Sequence, residues 1–140
     1  MRVVVKPIEG IALSAVSDSR HWVVMDTSVE NGGGQAANSP IELLLAALGG
    51  CTSMDVLPML KKMRMSVERY ELEAEADRAD DHPRVLTRIH LIYRFWGKEL
   101  DPKKIEHAVN LSMTQYCSIS AMLKTTVPIT HAVEINHPEG

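Results

Sequence analysis

Two side chains in this 140-residue chain could do redox or nucleophilic chemistry unaided: Cys51 and Cys117, its only thiols, 66 positions apart. One thiolate can attack a peroxide and a second thiol can resolve the product, passing through a sulfenic acid and a disulfide. Cys117 immediately precedes a predicted helix start, where free N–H groups and the dipole lower a thiol pKa. Cys51 follows Gly49-Gly50 inside an apolar helical stretch and precedes Thr52-Ser53. Each has a plainer reading, Cys51 as a small core thiol and Cys117 as a loop-to-helix residue without a role. There is no CxxC, and the six His (21, 82, 90, 107, 131 and 137) show neither i, i+4 pairing nor finger spacing. A zinc site therefore has no support. His21 and His131 read as strand polar residues. Glu42 could be a catalytic carboxylate, although its place in a helix cap also explains it. Arg20 could bind an anion or stabilise a thiolate; beside Asp18 it also reads as a solvated turn residue.

The elements that must position these groups follow from local pattern. Ser39-Pro40-Ile41-Glu42 is a capping box with Pro at the first helical position. Leu43 to Leu48 is apolar all round, which predicts a buried central helix. One chain with two main helices offers little to cover it, so an obligate dimer is expected. Each of Gly49 and Gly50 costs about 1 kcal/mol against Ala, which implies that another helix or a ligand packs there. Pro58 removes the hydrogen bond to the Met54 carbonyl, predicting a kink between 54 and 58.

Before this helix, strands are predicted at Arg2–Lys6, Ile8–Val16 and His21–Met25, with a turn over 17–20 and a glycine-rich loop over 30–38. After it, Tyr70, Leu72, Ala74 and Ala76 alternate with acidic residues. Val85, Thr87, Ile89, Leu91, Tyr93 and Phe95 form one face of a return strand whose other face carries Arg88, His90 and Arg94. Cross-strand charge pairing is expected between them. Asp101-Pro102 opens a helix lined by Ile105, Ala108, Val109, Ser112 and Met113. Ser118 is expected to cap a short helix over 119–124, with Met122 and Leu123 inward. Ile129–Ile135 is a last strand, followed by a polar tail over 137–140. Strands, helix, hairpin, helices and strand make an α+β pattern in one domain over 1–140.

Composition excludes several classes. Hydrophobic residues at 45% and charged ones at 24% are ordinary for a globular protein. A net charge of -3 without a basic run, and only six aromatics, argue against a nucleic-acid or anionic-membrane surface. The longest uncharged apolar run, Leu43 to Met54, counts 12 residues, too few to cross a bilayer. With no signal peptide in view, a soluble cytoplasmic protein is expected.

Ser39 to Cys51 (SPIELLLAALGGC) resembles the first cysteine motif of the OsmC/Ohr family of osmotically induced and organic-hydroperoxide-resistance proteins. Tyr116-Cys117-Ser118-Ile119 resembles its second. Residues 82–95 and the closing strand are similar too, and the overall character is nearer the family's less-characterised branch. The resemblance implies antiparallel sheets wrapped around two central helices in an intertwined homodimer, with a site at the subunit interface. It implies a thiol peroxidase with no metal or flavin, taking a small organic hydroperoxide and a dithiol reductant. Cys51 then matches the peroxidatic cysteine and Cys117 the resolving one. Glu42, one position after the family's catalytic Glu, and Arg20, in the region of the family's Arg, stand for the activating groups. The competing reading is a family member that binds a small apolar ligand or senses redox state without turnover.

Overall fold

The structure, a computed structural model, describes residues 1–136 and contains two compact units, the first spanning Met1–Leu45 and the second starting at Ala46. The polar tail over 137–140 lies outside the described residues.

The first unit is an antiparallel sheet of β1 (Val3–Glu9), β2 (Ala12–Ser17) and β3 (Trp22–Met25), in that order. The break between the first two strands falls at Gly10, with φ +58, rather than between Lys6 and Ile8. Pro7 is tolerated inside β1 because β1 is an edge strand and bulges between Pro7 and Glu9, where a ladder donor is dispensable.

The glycine-rich loop has an organiser the sequence did not reveal. A 3-10 turn at Val29–Asn31 ends on Gly32, and the chain then folds over the buried Asp26 carboxylate. Asp26 accepts backbone N–H bonds from Thr27 (2.8 Å), Gly34 (3.0 Å) and Ala36 (3.0 Å). A Cβ on Gly33 would sit 2.3 Å from the Thr27 carbonyl oxygen, so only glycine fits. These donors, Ala36 foremost, hold the Asp26 pKa below the ordinary carboxylate value. The stabilisation is therefore present above that ordinary value and lost as pH falls through the depressed one. Asp26→Ala is expected to accelerate amide hydrogen exchange at Thr27, Gly34 and Ala36 at neutral pH; unchanged exchange there would show that the loop holds itself.

Helix α1 (Pro40–Lys62) begins as predicted. Ser39 and Glu42 form the reciprocal cap, with Glu42 Oε2 accepting from Ser39 N–H (2.6 Å) and Ser39 Oγ (2.8 Å). The helix runs through Pro58 to Lys62 as one assigned element. At 23 residues, with an 18-residue stretch of mean hydropathy 1.6, it is long and apolar enough to cross a membrane, which the 12-residue count understated because it stopped short of Asp55. Its polar residues Thr52, Ser53 and Asp55 all make side-chain hydrogen bonds within the second unit, but of the predicted buried stretch Leu43–Leu48 only Leu48 is buried within the chain.

In the second unit β4 (Arg69–Arg78) and β5 (Leu86–Trp96) pair antiparallel, and β6 (Ile129–Asn136) joins β5 in parallel. This sheet is thus mixed rather than wholly antiparallel. The parallel pairing requires a crossover, supplied by α2 (Pro102–Leu111), a π-helical turn (Ser112–Tyr116) and α3 (Ser118–Leu123). Asp101 caps α2 by accepting from the N–H groups of Lys103 and Lys104.

Ile89, Leu91, Tyr93 and Phe95 are fully buried along one face of β5, whereas Val85 and Thr87, assigned to that face by alternation, are exposed. Val85 precedes the strand's first residue, so the alternation outruns the sheet. The opposite face carries the expected charge pairs. Arg88 meets Asp77 at 2.6 Å, and Arg94 reaches Glu73 (2.6 Å), Glu71 (3.3 Å) and Glu134 of β6 (2.8 Å). In α3 Met122 is exposed, against the expectation that it turns inward.

Candidate functional site

Cys51 and Cys117 come together in the second unit. Both are free thiols; Cys51, on α1, is half-buried, and Cys117 is buried. The two thiols are near enough for Cys51 to influence the ionisation of Cys117. The cap of α3 is Cys117 itself rather than Ser118: its Sγ accepts the Ser120 N–H at 3.3 Å. The pKa-lowering influence expected from a helix start is therefore present, through the N–H groups of Ser120 and Ile119. It is outweighed. Burial, aided by the Cys51 thiol, pushes the Cys117 pKa up from 9.0 to about 11.

Cys117 is thus protonated at neutral pH and waits beside a more accessible sulfur. A thiol kept neutral by the fold contributes stability below pH 9.0, and loses it as pH rises towards about 11. Any melting-temperature advantage of the wild type over Cys117→Ser should therefore shrink between those values; a difference independent of pH across that window would contradict it.

Around the thiols lies a polar network that the sequence reading missed. Thr52 Oγ1 is 2.8 Å from the Tyr93 hydroxyl and 2.9 Å from Ser112 Oγ, and all three residues are fully buried. Ser112 Oγ also lies 2.9 Å from Asp55 Oδ2. Ser53 bonds the Tyr70 hydroxyl at 2.8 Å and the Gly49 carbonyl at 2.6 Å. The Tyr93 hydroxyl and Ser120 Oγ both reach Met113 Sδ, at 3.6 and 3.8 Å. Burial raises the Tyr93 pKa, with nearby Cys117 and Asp55 adding to it, so the phenol stays neutral. No buried side-chain polar atom among the described residues lacks a partner. The available signal was a run of small polar residues on an apolar helix (Thr52, Ser53, Asp55), with Ser112 on the inward face of another.

The glycine pair has a different explanation from the one expected. A Cβ on Gly49 would meet Leu72 Cδ2 of β4 at 2.8 Å, so a strand rather than a helix or ligand closes on it. Gly50 has nothing within 4 Å. In the first unit, Glu42 is engaged by Ser39, whose N–H and hydroxyl lower its pKa. Arg20 is exposed in the β2–β3 turn with φ 63, its N–H bonded to the Ser17 carbonyl. Among the described residues no cluster of three or more His, Cys, Asp or Glu could hold a metal ion.

Comparison with known proteins identifies the family. A family model described as OsmC-like protein matches residues 32–132, a stretch that contains both cysteines. Protein YhfA of Escherichia coli (strain K12) is 36% identical over 135 residues, covering 96% of this chain and 98% of its own. A crystal structure of a protein from Aquifex aeolicus VF5 is 27% identical with a TM-score of 0.85, covering 99% of this chain and 97% of that one. The organic hydroperoxide resistance protein OhrB of Bacillus subtilis shares the fold at 20% identity, with a TM-score of 0.64 and 96% of each chain covered. With a two-sheet α+β fold, two thiols brought side by side and a family match across 32–132, the chain belongs to the OsmC-like family, in its less-characterised branch.

Proposed function

We propose that the protein is a thiol-dependent peroxidase that reduces organic hydroperoxides through Cys51 and Cys117. The observation that carries this reading is the pairing of a partly accessible thiol with a buried one held protonated beside it. In the first step the Cys51 thiolate attacks the O–O bond of the hydroperoxide. An S–O bond forms, the O–O bond breaks, and the alkoxide takes up a proton and leaves as an alcohol. In the second, Cys117 gives up its proton and attacks the Cys51 sulfenic acid; hydroxide leaves as water and the disulfide forms. A dithiol reductant then exchanges with that disulfide, becoming oxidised itself and restoring both thiols. No step is assigned to Glu42 or Arg20.

In this reading the working molecule is a soluble, cytoplasmic homodimer. Only 28% of the most apolar 18-residue stretch of α1 is buried within the chain, and Met54 is 79% exposed. Light scattering is expected to give about twice the chain's 15.5 kDa; a monomer at micromolar concentration would remove the dimer from the proposal.

The deciding assay follows the loss of cumene hydroperoxide with a dithiol in excess. Catalytic consumption is expected; consumption no faster than with the dithiol alone would end the peroxidase reading. The engagement of Glu42 by its own helix cap favours one alternative, a thiol sensor. It would consume a single equivalent and stop.

A further inference from the structure

The network beside the thiols has a geometry that packing alone does not require. Thr52 and Asp55 lie one and four positions after Cys51 on the same helix, and both reach Ser112 Oγ at 2.9 Å. Ser112 Oγ is the donor towards both, so its single proton is shared between the Thr52 hydroxyl and the Asp55 carboxyl oxygen. The Ser112 backbone carbonyl accepts the Cys117 N–H at 2.9 Å, closing the π-helical turn. Ser112 is thus held through its side chain by the neighbours of one cysteine, and through its main chain it holds the other. A π turn is a poorly favoured form that persists where surrounding contacts fix it.

We infer that the grip of Asp55 and Thr52 on Ser112 is a positioning device that docks the Cys117 turn against Cys51 and so sets the rate of disulfide closure. Asp55 and Ser112 touch no reacting atom in this scheme; they are positioning residues. The inference rests on the proposed function only in requiring that the two cysteines form a disulfide.

Diamide, a diazene that takes two electrons and two protons from a pair of thiols, tests closure without any peroxide. Attack by the first thiol gives a mixed adduct, and attack by the second on that sulfur releases the hydrazine and forms the disulfide. Quenched-flow mass spectrometry separates the two steps. In Asp55→Ala and Ser112→Ala closure is expected to slow by roughly tenfold to 100-fold, the order produced by a misplacement near 1 Å, while adduct formation stays within about twofold. Asp55→Asn keeps an acceptor oxygen for Ser112 and should close nearly as the wild type does.

Wild-type closure in both alanine variants would overturn the inference. So would parallel slowing of both steps, or loss of the fold in both, because the contacts would then serve stability alone. Slow closure in a protein inert to hydroperoxide would leave this inference standing and end the peroxidase reading.

Discussion

Cys51→Ser is expected to lose all hydroperoxide consumption above that of the dithiol alone, while Cys117→Ser still reacts once and accumulates a trappable sulfenic acid. The asymmetry follows from the environments of the two sulfurs. The reactive species is the thiolate, and burial holds Cys117 protonated until about pH 11, far above working pH. Cys51 is the more exposed of the pair, so peroxide meets it first. A serine hydroxyl at 51 is not oxidised by peroxide, and the buried Cys117 cannot take over. Sulfenic-acid trapping after mild peroxide should label Cys51 in Cys117→Ser and leave Cys117 in Cys51→Ser nearly unlabelled. Equal labelling, or the opposite bias, would reverse the assignment of attacking and resolving thiols.

Phe95→Ala is expected to cost roughly 3–5 kcal/mol, the usual range for emptying a fully buried aromatic position. For a chain of this length that lowers the melting temperature by roughly 10 °C or more. Phe95 is fully buried on β5, and its ring lies 5.1 Å from that of Tyr70 on β4. That pair fixes the strand register which also places Tyr93, two residues along, over Thr52. Val85→Ala provides the control. Alternation places Val85 on the same face, yet it is exposed and precedes the strand, so its change should stay within about 0.5 kcal/mol. Similar losses in the two variants would show that the buried face extends beyond the sheet seen here.

Local chemistry was legible in the residues themselves. The capping box at Ser39–Glu42, the Asp101-Pro102 helix start and the period-two faces of β4 and β5 each depend on neighbours within a few positions, or on simple alternation. They formed as read, save that the buried face of β5 stops short of Val85 and Thr87, because short-range geometry sets them. The two-cysteine motifs were likewise visible, and with them the family. The strand break at Gly10 in place of Pro7 shows the limit even here, since a proline breaks a strand only where its missing donor is needed, and that depends on whether the strand is at an edge.

What only the tertiary structure decided was the balance of long-range terms. Sequence position gave Cys117 a helix start and therefore a lowered pKa; burial, contributed by distant segments, reversed the sign. Asp26 gave no local hint that it organises a loop ten residues long, because its partners are backbone groups that carry no sequence signature. Gly49 on α1 is explained by Leu72, 23 positions away on β4. The Asp55–Ser112–Thr52–Tyr93 network joins three segments through contacts spanning 41 to 60 positions. A short polar side chain has the same letter whether it faces water or a buried partner, and only the fold determines which.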